Sequence, residues 1–137
     1  MKRSLLVSLA AILVVLFLAC NGSPTDPENR VLQGAYEGSL PATPSGEDWS
    51  NVRLTVAPTT AGDTVTGTLV PKTGPSHPVT GQRTAGIYAL EVKELPQTTP
   101  CNVQLTVLQI GAASIRGTVT GRCPNTLASS FRLNVVQ

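Results

Sequence analysis

The chain has 137 residues, ten Lys plus Arg against eight Asp plus Glu, and only 13% charged residues. That length suits one domain. The balance leaves no basic patch or stripe, so nucleic-acid binding has no electrostatic footprint here.

Lys2 and Arg3 precede an uncharged, proline-free apolar run from Leu5 to Leu18. The run is too short to span a bilayer, which takes about 20 residues, and fits the core of a signal peptide. It closes on Leu16-Phe17-Leu18-Ala19-Cys20. This ending resembles the lipobox of bacterial lipoproteins. The resemblance implies cleavage of residues 1–19 as a signal peptide and acylation of Cys20, palmitate included. Two or more acyl chains anchor a protein stably, where one does so marginally. Asn21 in place of aspartate points, under the enterobacterial sorting rule, to the outer membrane of a diderm envelope. The expected partner is therefore the membrane, reached through the lipid anchor, on the periplasmic or surface side. Lys2 and Arg3 leave with the leader, so the ten basic residues fall to eight and match the eight acids.

Residues 20–30 read as the lipidated cysteine and a polar tether with two prolines. Ten extended residues reach about 33–36 Å. From Val31 to Gln137 the pattern has period two, with no convincing helical period. Val52, Leu54 and Val56 alternate with polar residues, as do Val103, Leu105 and Val107, and Phe131, Leu133 and Val135. Such alternation marks half-buried antiparallel strands. Eight strands are expected near 31–40, 51–57, 63–70, 78–82, 84–93, 101–110, 114–121 and 128–136, with turns near 83 and 111–113.

The strand words repeat. Asn51 to Val56 recurs as Asn102 to Val107, Val65 to Leu69 as Ile115 to Val119, and Gly34-Ala35-Tyr36 as Gly86-Ile87-Tyr88. Two similar halves, about 34–70 and 86–120, follow. The fold class is all-β, an eight-stranded antiparallel meander closing into a small barrel, with a two-sheet sandwich as the alternative. An eight-stranded barrel resembles the lipocalin and calycin architecture, and Gly34-Ala35-Tyr36 is similar to that group's Gly-x-Trp. The resemblance implies binding of a small apolar ligand.

Cys101 and Cys123 remain once Cys20 is set aside, and in an exported domain they are expected to form a disulfide. If strands six and seven turn at Gly111-Ala112-Ala113, Cys101 falls opposite Cys123, Leu105 opposite Val119 and Val107 opposite Gly117. One register then satisfies both the apolar pattern and the bridge.

Strand alternation gathers the long loops 41–50, 71–77, 94–100 and 122–127 at the end away from the tether. Loops on rigid scaffolds carry function, so this end holds the candidate ligand or partner residues Glu47, Asp48, Trp49 and His77. Glu47-Asp48-Trp49 is either a ligand-contacting lid or a solvated loop whose Trp49 plugs the barrel mouth. His77, the single histidine, reads as a surface loop residue, and a lone histidine makes a poor metal site. Glu91 and Glu94 flank Lys93 as a charged strand end. No serine elbow, Cys-His couple, phosphate loop or metal-ligand cluster occurs, so neither catalysis nor a cofactor or metal is expected. The functions left are a carrier of a small apolar ligand or a protein-binding, inhibitor-like or structural envelope module.

Overall fold

A computed structural model describes residues 30–57, 63–97 and 101–137. The leader, Cys20 and most of the tether lie outside the described residues. Eight strands follow in order: β1 Gly34–Gly38, β2 Val52–Val56, β3 Thr64–Val70, β4 His77–Thr84, β5 Ile87–Val92, β6 Asn102–Ile110, β7 Ser114–Arg122 and β8 Thr126–Val135. Each is antiparallel to the next. β1 also pairs with β8 through Tyr36 opposite Val135, which closes a barrel rather than a sandwich. Closure removes every free sheet edge.

The period-two pattern sets which side chains turn inward. In β2 Val52, Leu54 and Val56 are buried while Arg53 and Thr55 are exposed. The same alternation carries Val65 and Leu69, Val103 to Val107, Ile115 and Val119, and Phe131 and Leu133 into one core. The abundant threonines face outward in cross-strand pairs, Thr55 with Thr68, Thr66 with Thr80 and Thr106 with Thr118. A barrel spanning a membrane needs an outward apolar band. This wall instead carries threonine hydroxyls, Gln104, Arg53, Arg116 and Arg132.

The two halves share a hairpin register. Leu54 and Val56 face Leu69 and Gly67, as Leu105 and Val107 face Val119 and Gly117. At Gly67 and Gly117 the partner strand comes too close for a side chain, with the Thr55 and Thr106 carbonyl oxygens in the way. The β1–β2 and β5–β6 registers differ. Tyr36 faces Leu54, but Tyr88 faces Val107, two positions on from the repeat equivalent of Leu54.

Several strand bounds move. β4 runs from 77 to 84, not 78–82, and the turn sits at Ala85-Gly86 rather than at 83. Both turn residues have positive φ, 50° and 80°, the backbone of a two-residue hairpin turn that matches strand twist. β5 therefore begins at 87. β8 begins at 126, which shortens the last loop to 123–125. β1 covers only 34–38, because residues 30–33 cross the barrel mouth instead of pairing. Leu108 faces outward by the same alternation as Gln104 and Thr106. A bulge between Val107 and Gln109 then reverses the parity, so that Gln109 is also exposed and Ile110 comes opposite the buried Ile115, the reversal that one extra residue produces.

Both mouths are closed by side chains. At the short-turn end Leu32 is buried, its backbone N–H donating to the Tyr88 hydroxyl at 3.2 Å, while the Tyr36 hydroxyl donates to the Gln33 carbonyl at 2.7 Å. The two repeat-related tyrosines thus hold the incoming segment. Leu40, Ala42, Trp49 and Leu95 close the other end. The Cys101–Cys123 disulfide lies across the start of β6 and the end of β7, with Cα atoms 4.2 Å apart. The register is the one the hairpin argument requires, Leu105 opposite Val119 and Val107 opposite Gly117.

Candidate functional site

The loops 39–51, 71–76 and 123–125, with residues 93–97 and 101, share one end of the barrel. Loop 39–51 folds over that end as a lid. Its neck is closed by the Leu40 N–H donating to the Trp49 carbonyl at 3.1 Å. Its middle is tied to loop 71–76 by a short bridge, with Asp48 N–H donating to Thr73 O at 2.9 Å and Lys72 N–H to Asp48 O at 3.0 Å. On the far side the Thr43 N–H and hydroxyl both reach the Cys123 carbonyl, at 3.2 and 3.3 Å.

Beneath the lid lies a buried polar cluster. Glu47 Oε2 accepts from Trp49 Nε1 at 2.7 Å and sits 2.8 Å from His77 Nε2. The side chains of His77 and Glu47 are only 1% and 2% exposed. His77 Nδ1 faces the Glu94 carbonyl oxygen at 3.2 Å. The Trp49 and His77 rings lie 6.0 Å apart at 45°. Gly74 makes room for the carboxylate, since a Cβ there would press on Glu47 Cγ at 2.8 Å.

Both nitrogens of His77 face acceptors. A carbonyl can only accept, so Nδ1 donates to Glu94. The Nε2 contact then needs one further proton, carried by the ring or by Glu47. Either arrangement leaves the pair net neutral, which is how a buried histidine and carboxylate avoid an unpaired charge. Glu47 Oε1 is buried and has no hydrogen-bond partner among the described residues.

The structure therefore brings three of the four sequence candidates together and corrects two expectations. His77 is not a surface loop residue; it is the buried first residue of β4. Glu47 is not solvated, because Trp49 and His77 draw its carboxylate beneath the lid. Trp49 is 2% exposed and plugs the mouth. Asp48 points the other way, 3.6 Å from Lys72 Nζ at the surface. Hydrogen bonds from Ser50, helped by Lys72, hold its carboxyl below the usual aspartate value. Lys93 pairs with Glu91 at 2.6 Å, as a charged strand end should.

Sequence reasoning missed the Glu47–His77 contact, since 30 residues separate the partners and neither lies in a motif. The signal present was that both map to the same end of the barrel. The cluster has the parts of a rigid clamp. Among the described residues no group of three or more His, Cys, Asp or Glu is placed to hold a metal ion. Compared with protein families, curated proteins and solved structures, the chain has no match.

Proposed function

We propose that this protein is a lipid-anchored envelope module that presents a fixed loop surface to a protein partner. The observation that carries the reading is the clamped lid. Glu47, Trp49 and His77 fasten loop 39–51 from below, and Thr73 and Cys123 fasten its edges. A surface ordered in advance loses less freedom on binding. Above the clamp the rim is exposed at Ser45, Gly46, Lys72, Thr73, Gly74 and Ser76.

The competing reading, a carrier of a small apolar ligand, needs room inside. Side chains from all eight strands converge in the core, with Leu32 below and Trp49 above, which favours the partner-binding reading. The anchor rests on the lipobox resemblance, and Arg30, where the described chain begins, lies at the end opposite the lid, which would aim the rim away from the bilayer.

A photocrosslinking residue placed at Ser45 or Thr73 of the full chain, expressed in its native envelope, tests the reading. A discrete protein adduct is expected from these positions and not from Thr66 on the barrel wall. Equal adducts from rim and wall, or none from the rim, would sink it. A small-molecule mass released from the native protein on denaturation would favour the carrier instead.

A further inference from the structure

The end of the barrel opposite the lid has a different surface. Among the described residues five large apolar side chains are exposed, and four of them, Val31, Ile87, Leu108 and Val135, lie at this end. Leu108, on the outward face of β6, is 50% exposed, and Ile87 beside the Ala85-Gly86 turn is 42% exposed. Between them runs an open groove of about 790 Å³, lined also by Arg30, Ile110, Ser114 and Arg116.

The charge here is unbalanced. Arg116 on β7 lies directly opposite Arg132 on β8, and both are exposed. Like charges directly opposite each other in a sheet repel. Neither of them, nor Arg30, has an ion pair among the described residues, whereas Arg53, Lys72 and Lys93 each have an acidic partner. Asp63 is also at this end, where its carbonyl accepts from the Arg83 N–H. An anion between Arg116 and Arg132 would turn repulsion into attraction.

The chain itself indicates what lies below. Arg30 is the first described residue and lines the groove. Only ten positions separate it from Cys20, a reach of at most about 36 Å. We propose that this face docks on an anionic phospholipid bilayer. Ile87 and Leu108 enter the interface between headgroups and acyl chains, and Arg30, Arg116 and Arg132 hold lipid phosphates. Apolar projections combined with basic residues are what interfacial binding requires. The orientation rests on the lipid-anchor reading above; the lipid-binding chemistry does not. Docking would fix the barrel upright and hold the lid at a set height.

The mature chain with Cys20→Ser carries no acyl group, so its membrane association reports the face alone. Cosedimentation is expected with phosphatidylglycerol vesicles, not with phosphatidylcholine vesicles, and should weaken with salt. Arg116→Gln with Arg132→Gln should reduce binding roughly 30-fold, at about fivefold per charge. Ile87→Ser with Leu108→Ser should reduce it too, with thermal melting unchanged because both side chains are exposed. No preference for the anionic vesicles, or binding indifferent to both pairs of substitutions, overturns the proposal. Displacement by millimolar inorganic phosphate would assign the arginines to free phosphate and also overturn it. Intact mass of the unsubstituted mature protein separates the two readings. An acylated Cys20 with no vesicle binding by the Cys20→Ser chain removes the face and keeps the anchor. Vesicle binding with an unacylated Cys20 does the reverse.

Discussion

His77 Nε2 and Glu47 Oε2 lie 2.8 Å apart under a lid that hides both side chains from solvent. They join the first residue of β4 to the loop between β1 and β2, and with the bonds to Thr73 and Cys123 this contact fixes how that loop sits on the barrel. Trp49 Nε1 shares the same carboxylate oxygen. Removing Glu47 leaves Trp49 Nε1 and His77 Nε2 buried without their shared acceptor, and removing His77 leaves the buried Glu47 carboxyl with Trp49 alone.

Glu47→Ala and His77→Ala should therefore each destabilise the domain by about 3 kcal/mol, the cost of an uncompensated buried charge or donor. The double substitution should lose much less than the sum, since the second change removes a group already orphaned. Urea unfolding of the four proteins gives the cycle. Additive losses would mean that the two groups do not act as a pair.

The disulfide closes a loop with a sequence separation of 22 residues. Replacing Cys101 and Cys123 together by Ala should lower stability by about 3 kcal/mol. Reduction of the native protein should give a comparable loss, measured by urea unfolding with and without reductant. The barrel should still form, because Leu105, Val119 and their neighbours set the same register without the bridge.

Gly67 and Gly117 occupy equivalent positions in the two halves, each packed against a threonine carbonyl of the neighbouring strand. Adding one methyl at either site should cost about 1–3 kcal/mol through overpacking. At Gly46 and Gly34 a Cβ meets nothing within 4 Å, so the penalty there comes only from positive φ, 78° and 98°, roughly 1 kcal/mol. Thermal melts of the four alanine variants should separate into these two groups. Matching losses at all four would show that the close approach carries no strain.

Two groups give stability a pH dependence. Burial raises the Tyr36 phenol above its ordinary 10.0, partly offset by its hydrogen bond to Gln33 and reinforced by nearby Tyr88. The folded state thus keeps this proton when the unfolded chain has released it. Its contribution is complete below pH 10 and falls as pH rises through the raised folded value. Tyr36→Phe should flatten that alkaline decline. Asp48 has the opposite sign. Its lowered value adds stability above the ordinary 3.8 that is lost as pH falls through the folded value. Asp48→Asn should remove that part of the acid limb. An unchanged pH profile in either variant would refute the assignment.

The sequence by itself determined the all-β class, the order of the eight strands and their inward faces, while the β1–β8 pairing decided for a barrel over a sandwich. Alternation in Val52 to Val56 and Val103 to Val107 is a local property, because successive strand side chains point to opposite faces. The Cys101–Cys123 pair followed from the cysteine count once Cys20 was set aside, and the same parity agreed with it. What lies at the barrel ends could not be read this way. Residues 30–33 leave the strand to plug one mouth, and the Val107–Gln109 bulge reverses parity beyond Leu108, exposing Gln109 and bringing Ile110 opposite Ile115. His77 looked solvent-facing beside Ser76 and Pro78, yet β4 starts one residue earlier and carries its ring beneath Trp49. Glu47 became a buried partner only when loop 39–51 folded across. These outcomes depend on groups brought together from distant parts of the chain, where desolvation and hydrogen-bond satisfaction decide the arrangement and local period has nothing to say.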